Sequence, residues 1–371
     1  MERIIAAFAD AAQAAAGLAA TGYLVAFGIV ATAPKDALAG SLTAVSLAVG
    51  VVPAHAGHGH DRPGKGHGGH HGKPGGRVER LDKGALGTRK TLATGSSAVI
   101  EMLGRGVLGV LMDDPHILRD IVQVRREEMA EAARILGIRH AWLGFLDSGL
   151  PEGDPLPALP ANCFAEVPLQ DAATPLISLV RRFRPHVLIS YDEVGGYPHP
   201  DHLQAHAVTM EAYRAAGLAD EYPEAGPAWE VSKVYYDCGF NPRKFRTMAA
   251  VAEADGEDVP FARRLMMFDA MDAMREVLRR REAGEDVPDP EVIPPWVTAD
   301  HDVTTQVDVT GFLDERDAAL RAHRTQIDPD GMFFDAPHDL QRRAWPWEDF
   351  ALIDSRVPSE LPEHDLFAGL R

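Results

Sequence analysis

Tyr191-Asp192-Glu193-Val194-Gly195-Gly196-Tyr197-Pro198-His199-Pro200-Asp201-His202 packs two imidazoles, three carboxylates and two phenols into one dozen residues. His199 and His202 stand three residues apart with Asp201 between them. One ring of such a pair can ligate a metal ion while the other meets charge developing on a substrate. The intervening carboxylate can orient a ring or raise its pKa. Gly195 and Gly196 permit a sharp turn, and Pro198 and Pro200 restrict the backbone on either side of His199. A lone His-x-x-His would more readily be a turn whose histidines satisfy hydrogen bonds. The crowding of this loop and its place in the chain argue for chemistry.

That place is the end of an apolar run, His186 to Tyr191, which reads as a buried strand. In open α/β sheets ligands sit at the carboxyl ends of the strands. Upstream, Ile121 to Gly137 carries Val124, Met129, Ala132, Ala133 and Leu136 at helical spacing, with Gly137 as a C-cap. Ala141 to Phe145 then reads as a short strand, and Thr174 to Phe183 as a helix stopped by Arg184-Pro185. Leu203 to Ala216 returns to helical spacing, and Val231 to Tyr236 is a further strand. The alternation predicts an α/β fold, a Rossmann-like three-layer parallel sheet, with an irregular N-terminal extension and an irregular portion from about residue 240.

The chain divides by composition into three zones. Residues 1–54 form an apolar N-terminal segment, with uncharged runs over 11–34 and 37–54 separated by Lys35 and Asp36. A membrane hairpin, a signal sequence and an Ala-rich helix pair all remain open for it, so membrane contact by residues 11–54 stays among the expectations. Residues 55–111 comprise a His/Gly-rich linker, with His55, His58, His60, His67, His70 and His71, followed by an unassigned stretch. Clustered imidazoles of this kind can bind metal loosely. Residues 112–371 carry the regular α/β pattern. A formal net charge of -18 argues against nucleic acid as a partner, because such binding leans on dense Lys/Arg patches. Cys163 and Cys238, the only cysteines, offer neither a disulfide framework nor a Cys-x-x-Cys metal site. They read as small buried residues of a reduced, cytoplasmic protein.

The loop and the strand before it resemble the second signature of the LmbE-like, PIG-L zinc deacetylase family. Val124 to Met129 and Trp142 to Pro151 are similar to its mycothiol branch. Ala322 to Pro329, Trp345 to Phe350 and Asp365 to Gly369 are similar to the amidases of that branch. The resemblance runs in consistent order from about residue 112 to residue 371. It implies a zinc-dependent amidohydrolase of thiol detoxification, with a small-molecule thiol conjugate as partner. The bond cut would be the amide joining N-acetylcysteine to a glucosaminyl-inositol. It implies His202 as a Zn²⁺ ligand and His199 as the imidazolium that stabilises the oxyanion and protonates the leaving amine. Tyr197 would donate a second hydrogen bond to that oxyanion, and Asp201 would tune His199 or the metal shell. Arg125 and Asp147 match positions that grip the inositol-glucosamine hydroxyls, and His323 and Gln326 fall near the substrate. Arg324 stands where the family usually has a small residue.

The family opens with a strand and an AHPDDE-like motif that supplies two zinc ligands and the general base, and no such string occurs in this chain. The domain over 112–371 therefore lacks its first β-α unit, which would leave an apolar sheet edge open. His58-Gly59-His60-Asp61 is the one local candidate to replace the missing ligands, and its glycines leave it poorly preorganised. Two rivals to an active enzyme follow. One is a catalytically degenerate relative that binds conjugates only, and the other is a metal- or membrane-associated binding protein working through residues 1–76.

Overall fold

The computed structural model describes residues 27–30, 44–47, 121–146, 148, 157–196, 199–259, 261–287, 301–325, 327–329, 331 and 333–370. Tyr197, Asp147, Gln326 and the His58–Asp61 stretch lie outside these described residues, as does the whole of 55–111.

Seven described strands form one sheet in the order β3-β2-β1-β4-β5-β7-β6. They are β1 (Phe27–Val30), β2 (Ala44–Leu47), β3 (Arg139–His140), β4 (Val187–Ser190), β5 (Lys233–Asp237), β6 (Thr305–Asp308) and β7 (Trp347–Ser355). The fold is α/β, as the sequence pattern predicts. β4 and β5 pair in parallel, with Val187 opposite Lys233 and Ser190 opposite Tyr236, as do β2 and β3. β1 runs against both β2 and β4, and β7 runs against both β5 and β6, so five strands point one way and two the other. The described parts of residues 1–54 are strands of this sheet. β1 pairs with β4, with Ile29 opposite Leu188, so β4 is bordered by strands on both sides. No helix among the described residues is long and apolar enough to cross a membrane.

Alternation along β4 and β5 sorts the core into two faces. Leu188 and Val234 pack with α2 (Leu169–Phe183) and α3 (Pro200–Ala215) through Ile177, Val180, Ala205, Val208 and Ala212. Val187 and Tyr235 on the other face meet Leu366 and Phe367 of the C-terminal tail. This face is thus closed partly by the C-terminal tail.

Local chemistry accounts for the element ends. α1 (Ile121–Leu136) stops at Gly137, whose φ of 67° favours glycine. α2 begins at Leu169, five residues before the expected Thr174, because a helix can continue through Pro175 at the loss of one N–H donor. The expected strand over 141–145 is instead irregular chain after the two-residue β3, and Leu146 makes an isolated bridge to Cys163. The expectation of an irregular portion from residue 240 is corrected. Four helices lie there, α4 (Pro242–Ala254), α5 (Ala262–Glu282), α6 (Leu313–Ala322) and α7 (His338–Ala344), with β6 and β7. Their polar and arginine-rich faces dilute the hydrophobic period, yet Phe245, Met248, Phe268, Leu340 and Trp345 assemble a second core.

Two buried charges fasten this frame. Arg181 of α2 is 2% exposed and donates to the carbonyls of Ala215, Ala216, Leu218, Glu221, Tyr222 and Gly226 at 2.6–3.3 Å. The guanidinium thereby binds carbonyls at the end of α3 and in the segment that follows, several of which also accept a backbone N–H. Lys233 and Glu363, with side chains fully shielded from solvent, pair at 2.5 Å, and Tyr235 Oη and Thr305 Oγ1 donate to the other Glu363 oxygen. This network ties the C-terminal tail to β5 and β6.

Candidate active site

The His-x-x-His loop leaves β4 at its carboxyl end and enters α3. Gly195 and Gly196 both take positive φ, 73° and 69°, where a side chain would be strained. The Asp192 carboxylate accepts from Val194 N at 3.2 Å and Gly196 N at 2.7 Å, and Gly195 N donates to the Asp192 carbonyl at 3.0 Å. These bonds fold the turn back so that its outer face is presented to the rest of the chain.

His199 is the N-cap of α3. Its Nδ1 accepts the Asp201 N–H at 3.1 Å, which leaves the proton of the neutral ring on Nε2. Pro200 follows at the first helical position, where its missing donor costs nothing. His202, in the first turn of α3, has Nδ1 3.0 Å from the Gly195 carbonyl, so Nδ1 donates and Nε2 carries the lone pair. Nε2 accepts from Tyr191 Oη at 3.3 Å, and the two rings stack with centroids 4.1 Å apart. The His199 and His202 rings are 5.1 Å apart. Burial lowers the His199 pKa to about 4. Burial, aided by the neighbouring His199, lowers that of His202 to about 3. Neutral rings are the form in which imidazole ligates metal or donates a single N–H.

Asp201 is buried, and its Oδ2 accepts from Ser148 N at 3.0 Å. That bond ties Ser148 to the start of α3. Cys163 lies in the same neighbourhood, where burial raises its thiol pKa and the Asp201 charge adds to the effect. His199, Asp201 and His202 are therefore brought together.

Arg125 and His323 form a second grouping. His323 caps the end of α6 and is 7% exposed, and its Nδ1 has no hydrogen-bond partner among the described residues. Burial lowers its pKa to about 4, with the charges of Arg125 and His140 contributing. The loop is pinned by Glu128 of α1, which accepts from Thr325 N at 2.9 Å and Thr325 Oγ1 at 2.7 Å. Burial raises the pKa of Glu128. The sequence reading passed over Glu128, although its place four residues after Val124 and four before Ala132 put it on the buried stripe of α1. It also passed over the pair between His301 and Glu193, 108 residues apart, for which the sequence offers no local signal.

Among the described residues, no group of three or more His, Cys, Asp or Glu side chains is placed to hold a metal ion. A catalytic zinc takes three protein ligands and an open position. The described residues thus do not complete such a set, and His202 Nε2 offers one donor toward it.

An α/β sheet bearing paired histidines at its parallel strand ends, His202 buried and His199 half-buried, is a frame for a hydrolytic enzyme. The family described as PIG-L, GlcNAc-PI de-N-acetylase, matches residues 84–213, a span that includes the loop and residues upstream of 112. The chain is 38% identical over 300 residues to the mycothiol S-conjugate amidase of Streptomyces coelicolor, covering 79% of this chain and 94% of that protein. It is 34% identical over 259 residues to the 1D-myo-inositol 2-acetamido-2-deoxy-alpha-D-glucopyranoside deacetylase of a Nocardioides species, covering 66% and 78%. Among solved structures it is similar to the N,N'-diacetylchitobiose deacetylase of Pyrococcus horikoshii, at 16% identity and a TM-score of 0.38, covering 65% and 67%. The chain belongs to the PIG-L deacetylase family and is a hydrolase of the amidase and deacetylase kind.

Proposed function

We propose that the protein hydrolyses the amide between N-acetylcysteine and the glucosaminyl-inositol of a mycothiol S-conjugate. The observation that supports this reading best is 38% identity to an amidase of that name, across 94% of its length. The histidine loop lies inside the matched family span. On this reading, His199 Nε2–H donates to the carbonyl oxygen as negative charge gathers there, with Tyr197 as a second donor. Asp201 holds the start of α3 against Ser148, and Asp147 and Arg125 would grip sugar hydroxyls. His323 and Gln326 contact the substrate from the loop after α6, which Glu128 steadies through Thr325. Zinc is the metal of this reading, with His202 as a ligand and its other donors outside the described residues.

The lack of an AHPDDE-like string in the sequence favours a second reading, a relative that binds conjugates without cutting them. Amide hydrolysis of a fluorescent mycothiol S-conjugate by the purified chain, with zinc added, separates the two. Turnover that needs zinc and disappears in His202→Ala supports the hydrolase. A folded protein that binds the conjugate with no turnover supports the second reading, and one that does neither removes both.

A further inference from the structure

We propose that His301 is a positioning residue of the hydrolytic site, holding the Asp192–Gly196 turn in place through the Glu193 carboxylate. His301 stands in the segment before β6, and its Nε2 lies 2.8 and 3.1 Å from the two Glu193 oxygens. Glu193 is exposed on the turn, while Asp192 accepts bonds within it.

The turn needs an outside hold. Two consecutive glycines at positive φ give it a large conformational entropy to lose, and its internal bonds run within a few residues of one another. Its carbonyl at Gly195 is what sets the ring of His202, so slack in the turn becomes rotation of that ring. His301 is well fastened for the task. Three residues on, Thr304 donates its N–H to the Phe350 carbonyl at 3.0 Å and accepts Glu363 N at its own carbonyl at 2.9 Å. Its Oγ1 accepts Leu352 N at 2.7 Å.

A second line of contacts closes the belt. The His301 ring meets Tyr236 edge-on with centroids 5.0 Å apart, and His206 meets the same phenol at 5.4 Å. His206 Nδ1 in turn donates to the Tyr191 carbonyl at 3.0 Å, at the start of the loop. One imidazole therefore touches the turn directly and, by way of Tyr236 and His206, leans on the strand end from which the turn departs.

The inference rests on the hydrolase reading for its kinetic arm only. The test uses His301→Ala, His301→Gln, Glu193→Ala and the Ala/Ala double variant in the full chain. Hydrogen exchange of the peptides spanning 191–202 is measured beside kcat and KM on the S-conjugate. The expected result for His301→Ala is faster exchange confined to those peptides. A fall in kcat of about fivefold with KM nearly unchanged should accompany it, equivalent to roughly 1 kcal/mol of transition-state stabilisation. His301→Gln retains an N–H donor for Glu193 and restores most of both, and the double variant is no worse than either single one. Unchanged exchange at 191–202, exchange raised throughout the chain, or additive losses in the double variant would each overturn the inference. Absence of turnover in the unaltered chain counts against the hydrolase reading instead, because the exchange arm needs no turnover.

Discussion

Replacing Glu363 by Gln should be among the most damaging single substitutions in the C-terminal half. Glu363 accepts from Lys233 Nζ at 2.5 Å, Tyr235 Oη at 2.6 Å and Thr305 Oγ1 at 3.2 Å, with both charged side chains fully shielded from water. Its backbone also joins the tail to Thr304 and Gln306 at 2.9 and 3.0 Å. The Gln amide keeps the volume but removes the negative charge, and it presents a donor either to the ammonium or to the two hydroxyls. Lys233 is then a buried cation without a counter-charge, and loss of one partner from such a pair costs about 3–5 kcal/mol. At roughly 2–4 °C per kcal/mol for a chain of this order of size, the melting temperature should drop by roughly 10 °C. The assay is thermal unfolding followed by tryptophan fluorescence and far-UV circular dichroism, with a guanidinium chloride titration giving the free-energy difference. Glu131→Gln serves as a control, since its partner Arg134 is 70% exposed and the change should not register. Replacing both Lys233 and Glu363 by Met should cost less than Glu363→Gln alone, because no stranded charge remains. A Glu363→Gln chain as stable as the unaltered one would refute the argument that this carboxylate balances a buried charge.

Arg181→Lys should destabilise the chain by about 3 kcal/mol, because an ammonium has three donors for the six carbonyls that the guanidinium serves. Limited proteolysis should then cut between residues 215 and 226 before any other described segment, and unchanged resistance there would count against the clamp. Asp237 supplies a pH signature. Burial, with Glu348 adding to it, raises its pKa to about 7 from 3.8. Its protonated form is favoured in the folded chain, so this contribution to stability is fully present below the unfolded pKa and is lost as pH rises through about 7. Asp237→Asn should therefore raise the melting temperature more at pH 8 than at pH 5, and an equal shift at both pH values would show that Asp237 titrates normally.

The sequence by itself determined the helices and strands whose apolar period is strong, because periodic burial must be encoded locally. α1, α3, β4 and β5 were legible for that reason, and so was the loop between β4 and α3, since its chemistry is concentrated in consecutive residues. It also determined the family. Tertiary structure decided the rest. That β1 from the apolar N-terminal segment lies against β4, that Lys233 meets Glu363 across 130 residues, and that His301 reaches Glu193 across 108 are facts of packing with no local signature. Which nitrogen of His199 and of His202 donates and which accepts was likewise open in the sequence. These roles are set by one backbone N–H at Asp201 and one carbonyl at Gly195, and the direction of such groups exists only once the turn has folded onto α3.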